Sequence, residues 1–269
     1  MTGGEEQKMT DLRGKRALVT GASSGIGAAV ARRLAREGMD LILVARRRER
    51  LEALAQAIRA QGNKACVFAA DLAQEEERAR LCPQVGNVDV LINNAGLGWY
   101  GYGFKMPWQA ARTILQVNIE AVAQLTLHFL QKMRQQGRGH IINIGSISGS
   151  LPSQGVAVYG ASKSFLDNFT TALHRELSGT AVHVSVVRAG PVKTEFSDAA
   201  LQYDHALHLP TEKVGVTAGQ VAERIVGLLR HPRRVIYVPD WLRIVPFLEL
   251  TFGWLIDRLG PLLLQRQSS

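Results

Sequence analysis

Tyr159 and Lys163 stand four residues apart in the stretch VYGASKSFL. On a helix, residues at i and i+4 share a face, so this phenol and this ammonium can approach one another. A free tyrosine titrates near a pKa of about 10, too high for easy proton exchange at neutral pH. A neighbouring ammonium favours the phenolate and is expected to bring that value down. Many helices carry such a pair without consequence, so its meaning depends on what else comes to meet it. Ser146 lies thirteen residues ahead of Tyr159, at the end of the apolar run GHIINIGSIS. Strand ends in parallel sheets face a ligand crevice, and a hydroxyl there can polarise an oxygen on a bound molecule.

The elements that must position these groups show in the apolar pattern. RALVTG, DLILVAR, KACVFAADL, VDVLINNAG, GHIINIGSIS, VHVSVVRAG and RVIYVPD read as strands. GIGAAVARRLAREG and RERLEALAQAIRAQG read as helices, closed by Gly38 and Gly62. Strands that alternate with helices predict βαβ units, right-handed crossovers and helices on both faces. The fold class is therefore α/β, doubly wound on a seven-stranded parallel sheet. With no internal repeat and no low-complexity linker, one domain is expected.

The stretch VTGASSGIGAAV follows the first strand and opens the first helix. Its glycines, Gly21, Gly25 and Gly27, permit a tight turn and let a pyrophosphate approach without meeting a Cβ. The helix start beyond them offers backbone N–H groups, including those of Gly25, Ile26 and Gly27, and a positive dipole end. Ser23 and Ser24 can add hydroxyl donors. The spacing is G-x-x-x-G-x-G rather than the commoner G-x-G-x-x-G. That spacing, with Ser146, the Y-x-x-x-K pair and NNAG at 93–96, resembles the short-chain dehydrogenase/reductase family over residues 13–194.

The resemblance implies a single-domain Rossmann oxidoreductase that uses NAD or NADP. It places Asn118, in VNIEAV, with Ser146, Tyr159 and Lys163 as a catalytic set. Hydride would pass between a nicotinamide and a carbonyl carbon. Tyr159 would then act as general acid in reduction and as general base in oxidation. Lys163 would also donate to the nicotinamide ribose, and Asn118 would hold a water linking Lys163 to solvent. The same resemblance brings Asp71 and Leu72 toward the adenine and lines the cofactor with Asn94, Ala95 and Gly96. Pro191, Val192 and Thr194, in VRAGPVKTEF, match positions near the carboxamide. The family's usual Pro-Gly turn near Arg188 is here Ala189-Gly190. The stretch from Asp71 to Asn93 is shorter than the family pattern, so a clipped helix is expected there.

The second strand ends in Ala45, followed by Arg46, Arg47 and Arg48. An acidic residue at that end would bind a ribose 2′-hydroxyl, whereas an arginine suits a 2′-phosphate. NADP(H) is therefore expected, with Arg46 the first candidate and Arg47 the second. Asp40 sits at the wrong end of the strand.

The chain has 269 residues, a formal net charge of +9 and two cysteines, Cys66 and Cys82. Its arginines are scattered along helices, which reads as a solvated surface rather than a nucleic-acid site. Two plain thiols and the lack of an apolar leader near residue 1 point to the cytoplasm. His140, His174 and His183 lack ligand spacing and read as ordinary core or surface histidines. Residues 1–12 are expected to be a flexible arm, 13–240 the Rossmann domain, and 241–269 an apolar helical extension. Within the domain, 195–217 reads as a substrate lid and 97–108 as a loop whose Trp99, Tyr100, Tyr102 and Phe104 either stack on an apolar substrate or pack the loop. The extension is interrupted by Pro246, Gly253, Gly260 and Pro261, so no clean spanning run exists. It could pack on another subunit, cap the substrate mouth or touch a membrane surface; the first, a homo-oligomer, is preferred. The function classes are a carbonyl reductase acting on a small, apolar ketone or aldehyde, and a nucleotide-binding redox sensor without turnover.

Overall fold

The structure, a computed structural model, describes residues 11–196 and 215–265. Residues 1–10, most of the expected lid (197–214) and 266–269 lie outside the described residues. The strands are β1 (Arg16–Thr20), β2 (Asp40–Ala45), β3 (Ala65–Ala69), β4 (Val90–Asn93), β5 (Gly139–Ser146), β6 (Val182–Ala189) and β7 (Val235–Val238). They form one seven-stranded sheet in the order β3-β2-β1-β4-β5-β6-β7, every pair parallel. The expected fold class is found. The order reverses between β1 and β4, so the crevice lies beyond the carboxyl ends of these two strands.

Alternating residues of each strand feed two cores. Ala17, Val19, Leu41, Leu43, Val90 and Ile92 face the layer containing α1 (Gly25–Arg36), α2 (Arg48–Arg59) and α7 (Ala218–Arg230). Leu18, Ile42, Leu91 and Ile141 face α3 (Glu75–Val85), α5 (Ala121–Gln136) and α6 (Ala157–Glu176). The two-residue period of a strand covered on both faces produces this division. Helix α3 spans 11 residues, close to the 12 of α1 and of α2, and carries Pro83 inside it. Leu12 is buried in the first core, so the packed chain starts one residue earlier than the boundary drawn from sequence.

Between β4 and β5 the polar interior is a line of side chains. Asn93, which pairs in register with Asn143, donates to Thr126 Oγ1 and to Asn143 Oδ1, each at 2.9 Å. Asn143 donates onward to Thr170 Oγ1 at 2.9 Å. The line runs from α5 through two strands to α6. At the opposite end of the sheet His140 is fully buried beside Ser185 Oγ, 2.8 Å away. Burial, with help from His183 and His174, pulls it down to about 3. It is a neutral core histidine.

Helix α4 (Trp108–Leu115) runs into α5 through a π turn at Gln116–Glu120. The chain ends in α8 (Val245–Gln265), which continues through Gly253, Gly260 and Pro261 rather than breaking at them. Pro246 is tolerated because it sits in the first turn, where its missing N–H has no helical partner to lose. Leu242 and Val245 anchor this end in the core. Beyond them Phe247, Leu250, Phe252 and Trp254 are exposed. Among the described residues, no helix is long and apolar enough to cross a membrane.

Candidate active site

Helix α6 starts beneath the end of β5 and brings three of the singled-out residues together. Tyr159, Lys163 and Ser146 are all buried, and Asn118 is wholly so. The Lys163 ammonium lies 5.8 Å from the centre of the Tyr159 ring, and its Nζ donates to the Ile144 carbonyl at 2.8 Å. Burial lowers Lys163 to about 8, with Asp167 one turn on pulling the other way. Burial also pushes the Tyr159 phenol well above its ordinary value, an effect that the Ser146 hydroxyl partly offsets. The expectation that Lys163 draws the phenol down is therefore not met: desolvation outweighs an ammonium aimed at a carbonyl. The shift leaves Tyr159 a neutral phenol at neutral pH, as an ordinary tyrosine is.

Asn118 sits inside the π turn, a device that re-aims helical side chains. Its Oδ1 accepts from Leu97 N at 2.8 Å, and its Nδ2 donates to Leu97 O and to Ser162 Oγ, each at 2.9 Å. Ser162 donates in turn to the Tyr159 carbonyl at 2.7 Å. The side chain clasps the loop after β4 to the helix that carries Tyr159. Sequence reasoning missed Ser162. It also missed Asp167, which sits behind Lys163 and accepts from Arg188 Nε at 3.0 Å. The i,i+4 spacing of Lys163 and Asp167 was the available signal.

The glycine loop lies at the switch point. Gly21 and Gly25 have φ values of +65° and +54°. A Cβ on Gly27 would lie 2.3 Å from the Gly21 carbonyl oxygen, and one on Gly21 would lie 2.7 Å from Asn94 Nδ2. Glycine serves the loop's closure on itself at Gly27 and its seating against the chain after β4 at Gly21. Asn94 Nδ2 donates to Thr20 O at 2.9 Å and to Gly21 O at 3.3 Å, so its amide holds the loop to the end of β4. Thr20 Oγ1 adds a second tie by accepting from Asn94 N and Ala95 N, both at 3.0 Å. Gly96 faces Asn118 and Lys163, for a Cβ there would come within 3.5 Å of Lys163 Nζ.

Of the candidate arginines, Arg47 rather than Arg46 turns onto this loop. Its Nε and Nη2 donate to Ser23 Oγ at 3.2 and 3.0 Å, and Nη2 reaches Ser24 Oγ at 2.7 Å. Arg46 is exposed. Arg50, one turn into α2, joins Arg47 on Glu195, a residue read only as the lid's first. Asp71, past the end of β3, accepts from Ala73 N at 3.1 Å, and Leu72 is buried in the second core. Thr194 packs its side chain against Gly25, within 3.2 Å of where a Cβ would stand. Val192 pairs with Val216, which is buried, so residues 215–217 brace the scaffold rather than form lid. The Ala189-Gly190-Pro191 turn is held by Gly190 N donating to Val238 O at 2.9 Å. Leu242 closes over Gly190, its Cδ1 2.7 Å from where a Cβ would stand.

The loop aromatics divide. Trp99 packs into a small core with Ala110 and Ile114. Tyr102 and Phe104 stack on each other with centroids 5.5 Å apart. Tyr100 stands close enough to Tyr159 to contribute to the rise of its phenol.

A short chain dehydrogenase family profile matches residues 15–204. The chain belongs to the short-chain dehydrogenase family. The NADP-dependent 3-hydroxy acid dehydrogenase YdfG of Salmonella typhi is 38% identical over 209 residues, covering 74% of this chain and 79% of that one. The ketoacyl reductase HetN of a Nostoc species is 34% identical, over 83% of this chain and 78% of its own. Among solved structures, a short-chain dehydrogenase from Sphingobium yanoikuyae in complex with NADPH superposes with a TM-score of 0.79 at 29% identity, covering 90% and 95% of the two chains. The short-chain dehydrogenase match takes in the glycine loop, Arg47, Asn118, Ser146, Tyr159, Lys163 and Thr194. It stops before α7, β7 and α8, which lie outside the match.

Proposed function

We propose that the chain is an NADP(H)-dependent oxidoreductase that interconverts a ketone or aldehyde with an alcohol, working as a carbonyl reductase on an apolar substrate. The observation that carries this reading is the buried Ser146–Tyr159–Lys163 cluster beside a glycine loop fitted with Arg47. The donor set suits a phosphorylated dinucleotide: helix N–H groups at Gly25, Ile26 and Gly27, hydroxyls at Ser23 and Ser24, and guanidinium groups at Arg47 and Arg50. Asp71, Leu72, Asn94, Ala95, Gly96, Pro191, Val192 and Thr194 would complete the walls. When bound, the nicotinamide supplies a hydride to a carbonyl carbon.

The protein's own residues handle the oxygen. Ser146 hydrogen-bonds it and polarises the carbonyl. Tyr159, a neutral phenol at physiological pH, donates the proton that the new alkoxide requires. Lys163 keeps a positive charge beside the phenol and so stabilises the phenolate left behind. Asn118 fixes the loop and helix that set these distances, and a water held there would return the proton from solvent. Phe196, whose ring centre lies 5.6 Å from that of Tyr159, gives the mouth an apolar wall. The substrate class named for YdfG and HetN, 3-hydroxy acids and ketoacyl units, supports a 3-oxo compound as first choice. The exposed apolar surface of α8 supports a homo-oligomer.

Screening 3-oxo acids, 3-oxoacyl thioesters and steroid-like ketones for NADPH oxidation tests the reading. Tyr159→Phe should lower turnover by about 10²–10⁴-fold while NADPH binding, followed by fluorescence, stays within about twofold. Retained turnover would remove Tyr159 from the proton-transfer role.

A further inference from the structure

Glu195 follows Thr194 directly and reaches across to the start of α2. Its carboxylate accepts from Arg47 Nη1 at 2.8 Å and from Arg50 Nη1 at 2.7 and 2.8 Å. Arg47 is held from behind by Ser23 and Ser24, so its fork is aimed before any ligand arrives. Three segments distant in sequence meet here: the glycine loop, the first turn of α2 and the strand-end stretch after β6. A guanidinium fork grips carboxylate and phosphate oxygens in the same way. The carboxylate of Glu195 therefore occupies the ground on which two arginines would take a phosphate monoester. The two guanidinium groups hold its carboxyl below the usual range, so it is an anion at neutral pH.

We propose that Glu195 sets coenzyme selectivity: its carboxylate competes from within the chain with the 2′-phosphate of NADP(H) for Arg47 and Arg50. The inference rests on the coenzyme reading above. An entering 2′-phosphate must displace Glu195 or share the arginines with it, and like charges at hydrogen-bonding range repel. NADH carries a hydroxyl at that position and meets no such contest. Since Glu195, Arg47 and Arg50 are all half-exposed, solvent screens the contacts and the contest is several-fold rather than many orders of magnitude.

Glu195→Gln keeps the side chain's length and removes its charge. Calorimetric titration with NADPH, NADH and 2′,5′-ADP, without substrate, reads the effect apart from turnover. The dissociation constants of NADPH and 2′,5′-ADP should fall about five- to tenfold in the variant, with that of NADH held within about twofold. Glu195→Ala, which can no longer reach either arginine, should act in the same direction. Wild-type protein that binds NADPH, with both variants unchanged or weaker, overturns this inference alone. An equal tightening of NADH also overturns it, because the effect would then not concern the phosphate. Wild-type protein that binds neither dinucleotide nor 2′,5′-ADP overturns the coenzyme reading and this inference with it.

Discussion

Lys163 carries a charge into a site that burial makes costly for it. Its folded value of about 8 lies below the ordinary 10.5. Between these two values the unfolded chain holds the extra proton, so this residue's contribution to stability rises with pH across that window. Below it both states are protonated and the burial cost stands in full. Activity should move the opposite way, because the ammonium that stabilises the phenolate is lost as pH climbs. We expect kcat/KM for carbonyl reduction to fall with a midpoint near 8; a profile flat up to the ordinary lysine value would detach the reaction from this charge. The Tyr159–Lys163 spacing and Ser146 at a strand end were readable because each depends on local geometry. The choice of Arg47 over Arg46 was not, since neighbouring residues at a helix start differ only in where the backbone aims them. The Asp167–Arg188 pair joins residues of different elements, and no local pattern announces such a contact.

At the level of elements, the strands were legible because β-branched runs bounded by glycine can hardly be anything else in a doubly wound sheet. The π turn was not, because one widened turn leaves the apolar period of the surrounding helices unchanged. Nor was the continuity of α8, where glycines and prolines suggested breaks. The glycine loop was recognised, but for only part of its reason. Gly27 is needed first by the loop's own closure, and Gly21 by its contact with Asn94 and Ala95. Gly27→Ala would set a methyl group 2.3 Å from the Gly21 carbonyl oxygen, an atom of the backbone that has no rotamer to retreat into. The loop must open, so we expect a stability loss of about 1–3 kcal/mol in urea unfolding and NADPH binding weakened beyond detection by titration. A variant that binds NADPH like the parent would show that closure at this point is not required for the phosphate site.

For the whole molecule, the outstanding feature is the apolar end. Helix α8 exposes Phe247, Leu250 and Trp254 along one face and Phe252 off that face. Large apolar side chains left in water over adjacent turns call for cover. The homo-oligomer reading supplies that cover from a second copy. Removal of residues 246–269, with Leu242 and Val245 left in place, should turn an associated species into a monomer in detergent-free sedimentation. A full chain that sediments as a monomer, or floats with lipid vesicles, would reject the subunit reading. This end is where the sequence offered alternatives without a means of choosing, because exposed apolar side chains mark an uncovered surface and not what covers it.

The side-chain amides that bridge β4 and β5 have a consequence for how the chain finds its native alignment. Parallel strands of isoleucine and valine attract one another at many offsets, since one branched methyl resembles the next. A slip by one residue would turn Asn93 or Asn143 toward the wrong layer. A slip by two would keep the layer but separate the amides, and each stranded one costs about 1–3 kcal/mol. The pair therefore acts as a checkpoint against misthreaded sheets, and an all-leucine replacement could gain cohesion while losing the means to reject them.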